Sequence, residues 1–169
     1  MKTVIRYAGG KSRAIKLITP YIESYDKIVS PFIGGGSLEV HWASNLGKEV
    51  IGYDIFDMLV NFWNQLLNDP IGLSKVMELI EPTNVEYKRI KQVLMSLHET
   101  QEMLKDWSTD YYKRDDIISL SNVIKAAYYY FNHNCSYGPG YLGWGSSVYL
   151  NKDKWDNMIE SVRNFECPN

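Results

Sequence analysis

The sequence predicts an α/β fold on three observations: a strand–helix–strand pattern between positions 27 and 53, a glycine-rich turn inside it, and helical periodicity over most of the chain beyond position 57. A crossover of this kind runs right-handed almost without exception and leaves its two strands parallel in one sheet. Parallel sheets need helices on both faces, and helical segments are plentiful here. With 169 residues, 45% hydrophobic and 14% aromatic, the chain has apolar surface for one core and too little length for two comfortable ones.

Taken in order, positions 14–22 (AIKLITPYI) put Ile15, Leu17, Ile18, Tyr21 and Ile22 near one face at helical spacing, with Pro20 limiting the helix. KIVS, 27–30, reads as a short strand, followed by Pro31, three consecutive glycines and an apolar helix from Leu38 to Leu46. Gly47 is placed to end that helix as a left-handed cap. EVIGY, 49–53, is a second strand of buried character that stops at Asp54. Beyond it, helices are expected over 57–68, 70–80, 84–105, 110–131 and 152–164. A glycine- and tyrosine-rich loop spans 132–150, a length at which loops are usually functional or disordered. Two strands leave unpaired edges and cannot cover the apolar faces of five helices. The α/β domain therefore reads as incomplete on its C-terminal side, where positions 164–169 stop before the next strand of the pattern.

The net charge of -2 argues against electrostatic capture of nucleic acid by the molecule as a whole, so any DNA-binding face must be local. Lys2, Arg6, Lys11, Arg13 and Lys16 meet no acid until Glu23, which suits either a phosphate-facing end or a solvated helix face. Cys135 and Cys167 form neither a CxxC pair nor a disulfide framework, and with three histidines no structural metal is implied. A secretory leader is not evident and no apolar run nears the roughly 18 residues of a membrane span, so a soluble, intracellular, cytoplasmic protein is expected.

The strongest local motif is PFIGGGS, Pro31 to Ser37, between a strand and a helix, where glycines let the backbone approach a nucleotide-like ligand. It does not satisfy GxGxxG, because Gly34, Gly35 and Gly36 are contiguous. Asp54 follows Gly34 by 20 residues, the separation at which a carboxylate can accept the hydroxyl protons of a ribose. The alternative is that Asp54 only caps the next helix and the glycines only make a turn. YAGGKS is not a phosphate loop, since that motif requires glycine where Ile5 stands.

Together, Tyr7-Ala8-Gly9-Gly10-Lys11, Pro31 to Ser37 and Asp54-Ile55-Phe56-Asp57 resemble the Dam-like, alpha-group site-specific DNA adenine methyltransferases. A fourth segment, Tyr128 to Gly138, is similar to the family's Phe-Leu-x-Asn-Arg-Thr-x-Phe-Asn-Gly run, with Asn132 and Gly138 aligned and His133 and Asn134 in place of arginine and threonine. Phe56 replaces the family's usual asparagine. The resemblance implies a Rossmann-like fold for S-adenosylmethionine-dependent methyl transfer, with a helical insertion. It also implies methylation of the adenine amino group in double-stranded DNA, as in restriction-modification systems, without a metal. Tyr7, Gly10 and Lys11 would flank the cofactor's methionine end, Phe32, Gly34, Gly35, Gly36 and Ser37 would line its turn, and Asp54 would hold the ribose. The implied division is 1–83 for the cofactor part, 84–150 for a target-recognition-like segment and 151–169 for the start of a truncated catalytic part.

Family chemistry needs an Asp-Pro-Pro-Tyr tetrad to orient a flipped adenine, and no DPPY, NPPY or SPPY occurs; Asp69-Pro70 precedes Ile71 and reads as a helix-breaking turn. No residue is therefore assigned to catalysis, and the chain alone is expected to be inactive. Three readings remain open: a fragment or split subunit of an active methyltransferase, in the latter case with a second polypeptide carrying the tetrad, a catalytically dead cofactor- or DNA-binding module, or an unrelated α/β nucleotide-binding protein. For DNA, Lys88, Arg89, Asn132 and Tyr137 are the candidates, with Lys91, Lys113, Arg114, Tyr141, Trp144 and Tyr149 nearby. The acids interleaved among them, Glu99, Glu102, Asp106, Asp110, Asp115 and Asp116, equally suit solvated helices.

Overall fold

The computed structural model describes residues 1–105 and 120–167. Its N-terminal segment carries a single helical turn, α1 (Ile15–Ile18), between 3₁₀ turns at Ser12–Ala14 and Thr19–Tyr21. Pro20 allows no longer helix, and the expected apolar face does not bury: Leu17 and Tyr21 are 73% and 81% exposed. Strand β1 (Lys27–Ser30) leads through the glycine turn into α2 (Ser37–Leu46), which ends at Gly47 with φ 65°, and β2 (Glu49–Gly52) comes next. The strands pair in parallel, Lys27 opposite Glu49 and Ser30 opposite Gly52, and the first pair is joined by an ion pair of 2.7 Å.

The strands are not buried as their composition suggests: no residue of β1 or β2 is buried, and Val29 and Tyr53 are more than half exposed. A strand's burial is set by what covers it, and a sheet of two strands has two open edges and little cover. The core lies instead among the helices. Helix α3 (Asp57–Asn68) buries Leu59, Phe62, Trp63 and Leu66, spaced by three and four as one helical face requires. Asp69 then caps α4 (Pro70–Met77), its carboxylate accepting from Gly72 N–H at 2.7 Å, with Pro70 at the first helical position. The helix stops at Met77, short of position 80.

The long helix α5 (Asn84–Lys105) carries Tyr87, Ile90 and Leu94 into the core, and α7 (Lys152–Arg163), capped by Asn151, adds Trp155, Ile159 and Val162. Between them runs α6 (Asn122–Asn134), packed against α3, α4 and α5. Phe62 stacks on Tyr130 with ring centroids 5.0 Å apart, and Trp155 closes on Phe131 edge to face at 4.9 Å. Of the helix expected over 110–131, positions 110–119 lie outside the described residues. Its C-terminal end runs three residues further, so Asn132, His133 and Asn134 are helical rather than the start of the loop: all three are buried, Asn132 bonded to Tyr87 and Leu142, His133 and Asn134 to the N-terminal segment.

Candidate functional site

Three segments meet at the C-terminal end of β1: the N-terminal stretch Thr3–Lys11, the glycine turn Gly34–Gly36, and the last turn of α6. The contacts are mostly to backbone, so they fix where the chain runs and not only which side chains touch. Tyr130 Oη donates to the carbonyl of Val4 at 2.9 Å, and Asn134 Nδ2 to the same carbonyl at 3.2 Å. Arg6 N–H donates to Asn134 Oδ1 at 3.1 Å. His133 Nε2 lies 2.5 Å from the carbonyl of Arg6, an acceptor only, so Nε2 carries the proton and Nδ1 is bare and enclosed without a partner. Burial is the main cause holding this imidazole's pKa below 6.5, so it is neutral at pH 7. The Arg6 guanidinium lies 3.5 Å from the ring centroid of Tyr149 and donates to the carbonyl of Asn134, so it is spent inside the fold, whereas Lys2, Lys11, Arg13 and Lys16 remain exposed.

This ladder delivers Tyr7 onto the glycine turn, its other face 5.7 Å from the His133 ring. A Cβ on Gly35 would stand 2.5 Å from Tyr7 Cβ, and one on Gly34 would stand 3.0 Å from the ring. Gly36, at φ 62°, faces Trp63 in the same way, and the Trp63 indole N–H donates to the carbonyl of Gly34 at 3.0 Å. The three glycines are thus filled against by protein side chains. A cleft of about 590 Å³ opens beside them, within the range of small-molecule sites. Tyr7, Gly10, Lys11, Phe32, Gly34, Gly35, Gly36 and Ser37 line it, eight of the nine residues singled out by sequence. The ninth, Asp54, stands on the far side of the turn, where Oδ2 accepts from Gly34 N–H and Oδ1 from Phe56 N–H, each at 3.0 Å. Each oxygen retains acceptor capacity. Burial and the Asp54 charge both raise the Tyr7 pKa, keeping the phenol protonated. Phe32 and Ile55, on either side of the turn, are 82% and 97% exposed.

The residues suggested for DNA are scattered. Tyr137 and Trp144 project from the loop after α6, 82% and 85% exposed, and Lys88 is exposed on α5. Arg89 is held by Glu86 through two hydrogen bonds of 2.8 and 2.5 Å and by Tyr128 Oη at 3.2 Å. Asn132 is fully enclosed; its amide oxygen accepts from Leu142 N–H at 2.7 Å. Lys113 and Arg114 lie outside the described residues. The loop itself is pinned: Tyr137 N–H donates to the Trp144 carbonyl at 2.8 Å, and Tyr87 Oη donates toward the carbonyls of Asn132 and Gly143 at 3.1 and 3.2 Å.

Two residues of the site, one in the cleft and one beneath the turn, escape sequence reasoning. Glu39, in the first turn of α2, is buried and lines the cleft beside Ser30; the signal was an acid inside the apolar run LEVHWA. Trp63 carries the glycine turn from beneath, and nothing in α3's periodicity separates it from ordinary core. No helix among the described residues is long and apolar enough to cross a membrane. A family model described as D12 class N6 adenine-specific DNA methyltransferase matches residues 7–166, and no curated protein matches the chain.

Proposed function

Because the chain belongs to the D12 class N6 adenine-specific DNA methyltransferase family, we propose that the cleft beside the glycine turn holds S-adenosylmethionine, with DNA as the other substrate. The observation that carries the reading is the convergence of eight candidate residues, from two segments about 20 positions apart, on one cleft of about 590 Å³. The cleft suits such a ligand with a lysine for a carboxylate and apolar Phe32 for a purine, and beyond the turn Asp54 has acceptor capacity left for ribose hydroxyls. S-adenosylmethionine, when bound, supplies a methyl group activated on a sulfonium centre. Tyr7 and Lys11 serve its amino-acid end, and Asp54, which does not line the cleft, keeps the turn in shape through Gly34 and meets the ribose only where the ligand extends past the turn. The parallel pair β1–β2 is, in this reading, part of a Rossmann-like methyltransferase sheet. Residues 1–83 form the cofactor part, 84–150 the DNA-facing part, and 151–169 belong with the catalytic part.

The DNA contacts are assigned to Tyr137 and Trp144, whose exposed rings suit stacking or wedging, with Lys88 on phosphate. Arg89 would join only by releasing Glu86. Asn132, being enclosed, holds the loop and touches no DNA.

The 169 residues contain no Asp-Pro-Pro-Tyr or related tetrad. The acceptors that orient the target amine therefore come from outside these residues, on a polypeptide that carries the tetrad, and this chain alone binds without turnover; positioning of that kind is worth several kcal/mol of barrier. A catalytically dead binding module rests on the same observation. Titration calorimetry with S-adenosylmethionine on the wild-type chain and on Asp54→Asn tests the cofactor reading. Saturable binding weakened in a folded variant supports it. A folded wild type that ignores S-adenosylmethionine but binds a dinucleotide or nucleoside triphosphate refutes it. Methylation by the chain alone would refute the assignment of catalysis elsewhere.

A further inference from the structure

The inner wall of the cleft carries a charge that the fold does not use. Glu39 is 8% exposed on a helix face whose neighbours, Val40, Trp42 and Ala43, are buried and apolar. Its Oε1 accepts from Ser30 Oγ at 2.6 Å, and among the described residues no lysine, arginine or histidine pairs with it. The enclosed side-chain atoms without a partner are Asn132 Nδ2 and His133 Nδ1, so the second oxygen of Glu39 is not sealed off. Glu39 also borders a smaller pocket of about 130 Å³ lined mainly by apolar residues, but Ser30, which orients the carboxylate, lines the larger cleft and not the smaller one.

A carboxylate withdrawn from water without a cation is costly, and an apolar residue at this position of α2 would serve stability better. Lys11 lines the same cleft, its Nζ bonded only to the nearby Gly9 carbonyl at 2.7 Å and otherwise exposed. One cavity thus presents a cation and an oriented anion, the two charges opposite to those of a free α-amino acid group. We propose that Glu39, oriented by Ser30, receives the ammonium of the ligand's amino-acid end while Lys11 meets its carboxylate, so that this cleft selects a zwitterion. The inference rests on the S-adenosylmethionine reading and deepens it: Glu39 is a specificity-determining residue. The ionised donor and acceptor make the bond a charge-assisted one, stronger than a neutral hydrogen bond.

The test is calorimetry on the full chain with three probes: S-adenosylmethionine, S-adenosylhomocysteine, which keeps the ammonium and lacks the sulfonium, and 5′-methylthioadenosine, which lacks the amino acid altogether. Glu39→Gln should weaken the first two about tenfold or more and leave the third within about twofold. Ser30→Ala, which changes no charge, should weaken the same two by a smaller factor and spare the third. If Glu39→Gln does not fold, as judged by circular dichroism, the Ser30→Ala pattern decides. Equal loss for all three probes makes Glu39 a structural residue and overturns the proposal, as does no loss for any. Loss confined to S-adenosylmethionine overturns it in favour of a contact with the sulfonium. A wild type that binds 5′-methylthioadenosine as tightly as S-adenosylhomocysteine refutes zwitterion selection while leaving the cofactor reading standing. A wild type that binds none of the three refutes both.

Discussion

Replacing Gly36 by alanine puts two separable costs on one atom. The backbone there sits at φ 62°, where a Cβ costs about 1–2 kcal/mol. The new methyl would also stand 2.5 Å from Cζ2 and 2.7 Å from Cη2 of Trp63, which is 5% exposed. Overpacking of this kind costs about 1–3 kcal/mol. Any retreat of the indole also strains its bond to the Gly34 carbonyl, worth about 1 kcal/mol. Gly36→Ala should therefore lose about 2–5 kcal/mol in urea unfolding, or roughly 5–20 °C of Tm for a chain of this size. Both clashing atoms belong to the benzo ring, which phenylalanine lacks. In the Gly36→Ala background, Trp63→Phe should cost less than it does in wild type, by the overpacking share, while the dihedral cost remains. A double-mutant cycle reads this directly. Gly36→Ala within about 0.5 kcal/mol of wild type, or single-mutant costs that simply add, would show that Trp63 does not fill the space beneath the turn.

Three further outcomes rest on the same packing. The His133 pKa is depressed in the fold, so the unfolded chain takes up the proton first. Stability is then fully present above pH 6.5 and declines as pH falls through the folded value; His133→Gln should flatten that decline in urea midpoints, and an unchanged slope would place the pH dependence elsewhere. Cys135 is fully buried with its pKa pushed up to about 12, and Cys167 is partly exposed, so a thiol reagent should modify one cysteine in the native chain and two in urea; two native equivalents would contradict the burial. Tyr87→Phe removes the hydroxyl shared by the Asn132 and Gly143 carbonyls and should cost about 1–3 kcal/mol, with faster amide exchange confined to the loop after α6; an exchange pattern unchanged there would mean the hydroxyl does not hold the loop.

Features that depend on neighbours along the chain were legible in the sequence. Leu59, Phe62, Trp63 and Leu66 announce α3 by spacing alone, Gly47 announces the cap of α2 by residue type, and the order strand, glycine turn, helix, strand needs no distant partner. Features that depend on which element covers which were not. KIVS and EVIG are strand sequences whether or not a sheet encloses them, so their exposure was invisible. His133 and Asn134 look like loop residues until the backbone of Val4–Arg6, some 127 to 130 positions away, supplies their partners, and Asn132 until Tyr87 and Leu142 supply its own. Glycines in the turn announce a close approach without saying by what: sequence suggested a ligand, and Tyr7 and Trp63 occupy the places where Cβ atoms would stand.

The last turn of α6 is the joint between the two halves of the candidate site. On one side His133 and Asn134 grip the backbone of Val4–Arg6 and so set Tyr7 on the glycine turn. On the other, Asn132 holds Leu142 at φ 56°, a strained position for a leucine, and thereby shapes the loop that carries Tyr137 and Trp144. Three adjacent residues thus carry contacts to the glycine turn's side and to the Tyr137–Trp144 loop through hydrogen bonds within a helix end that is itself buried and stacked. A shift of that turn cannot move one side without the other. Arginine, long and always charged, could not replace His133 here without burying its charge beside Arg6, which explains why a neutral imidazole suits the position.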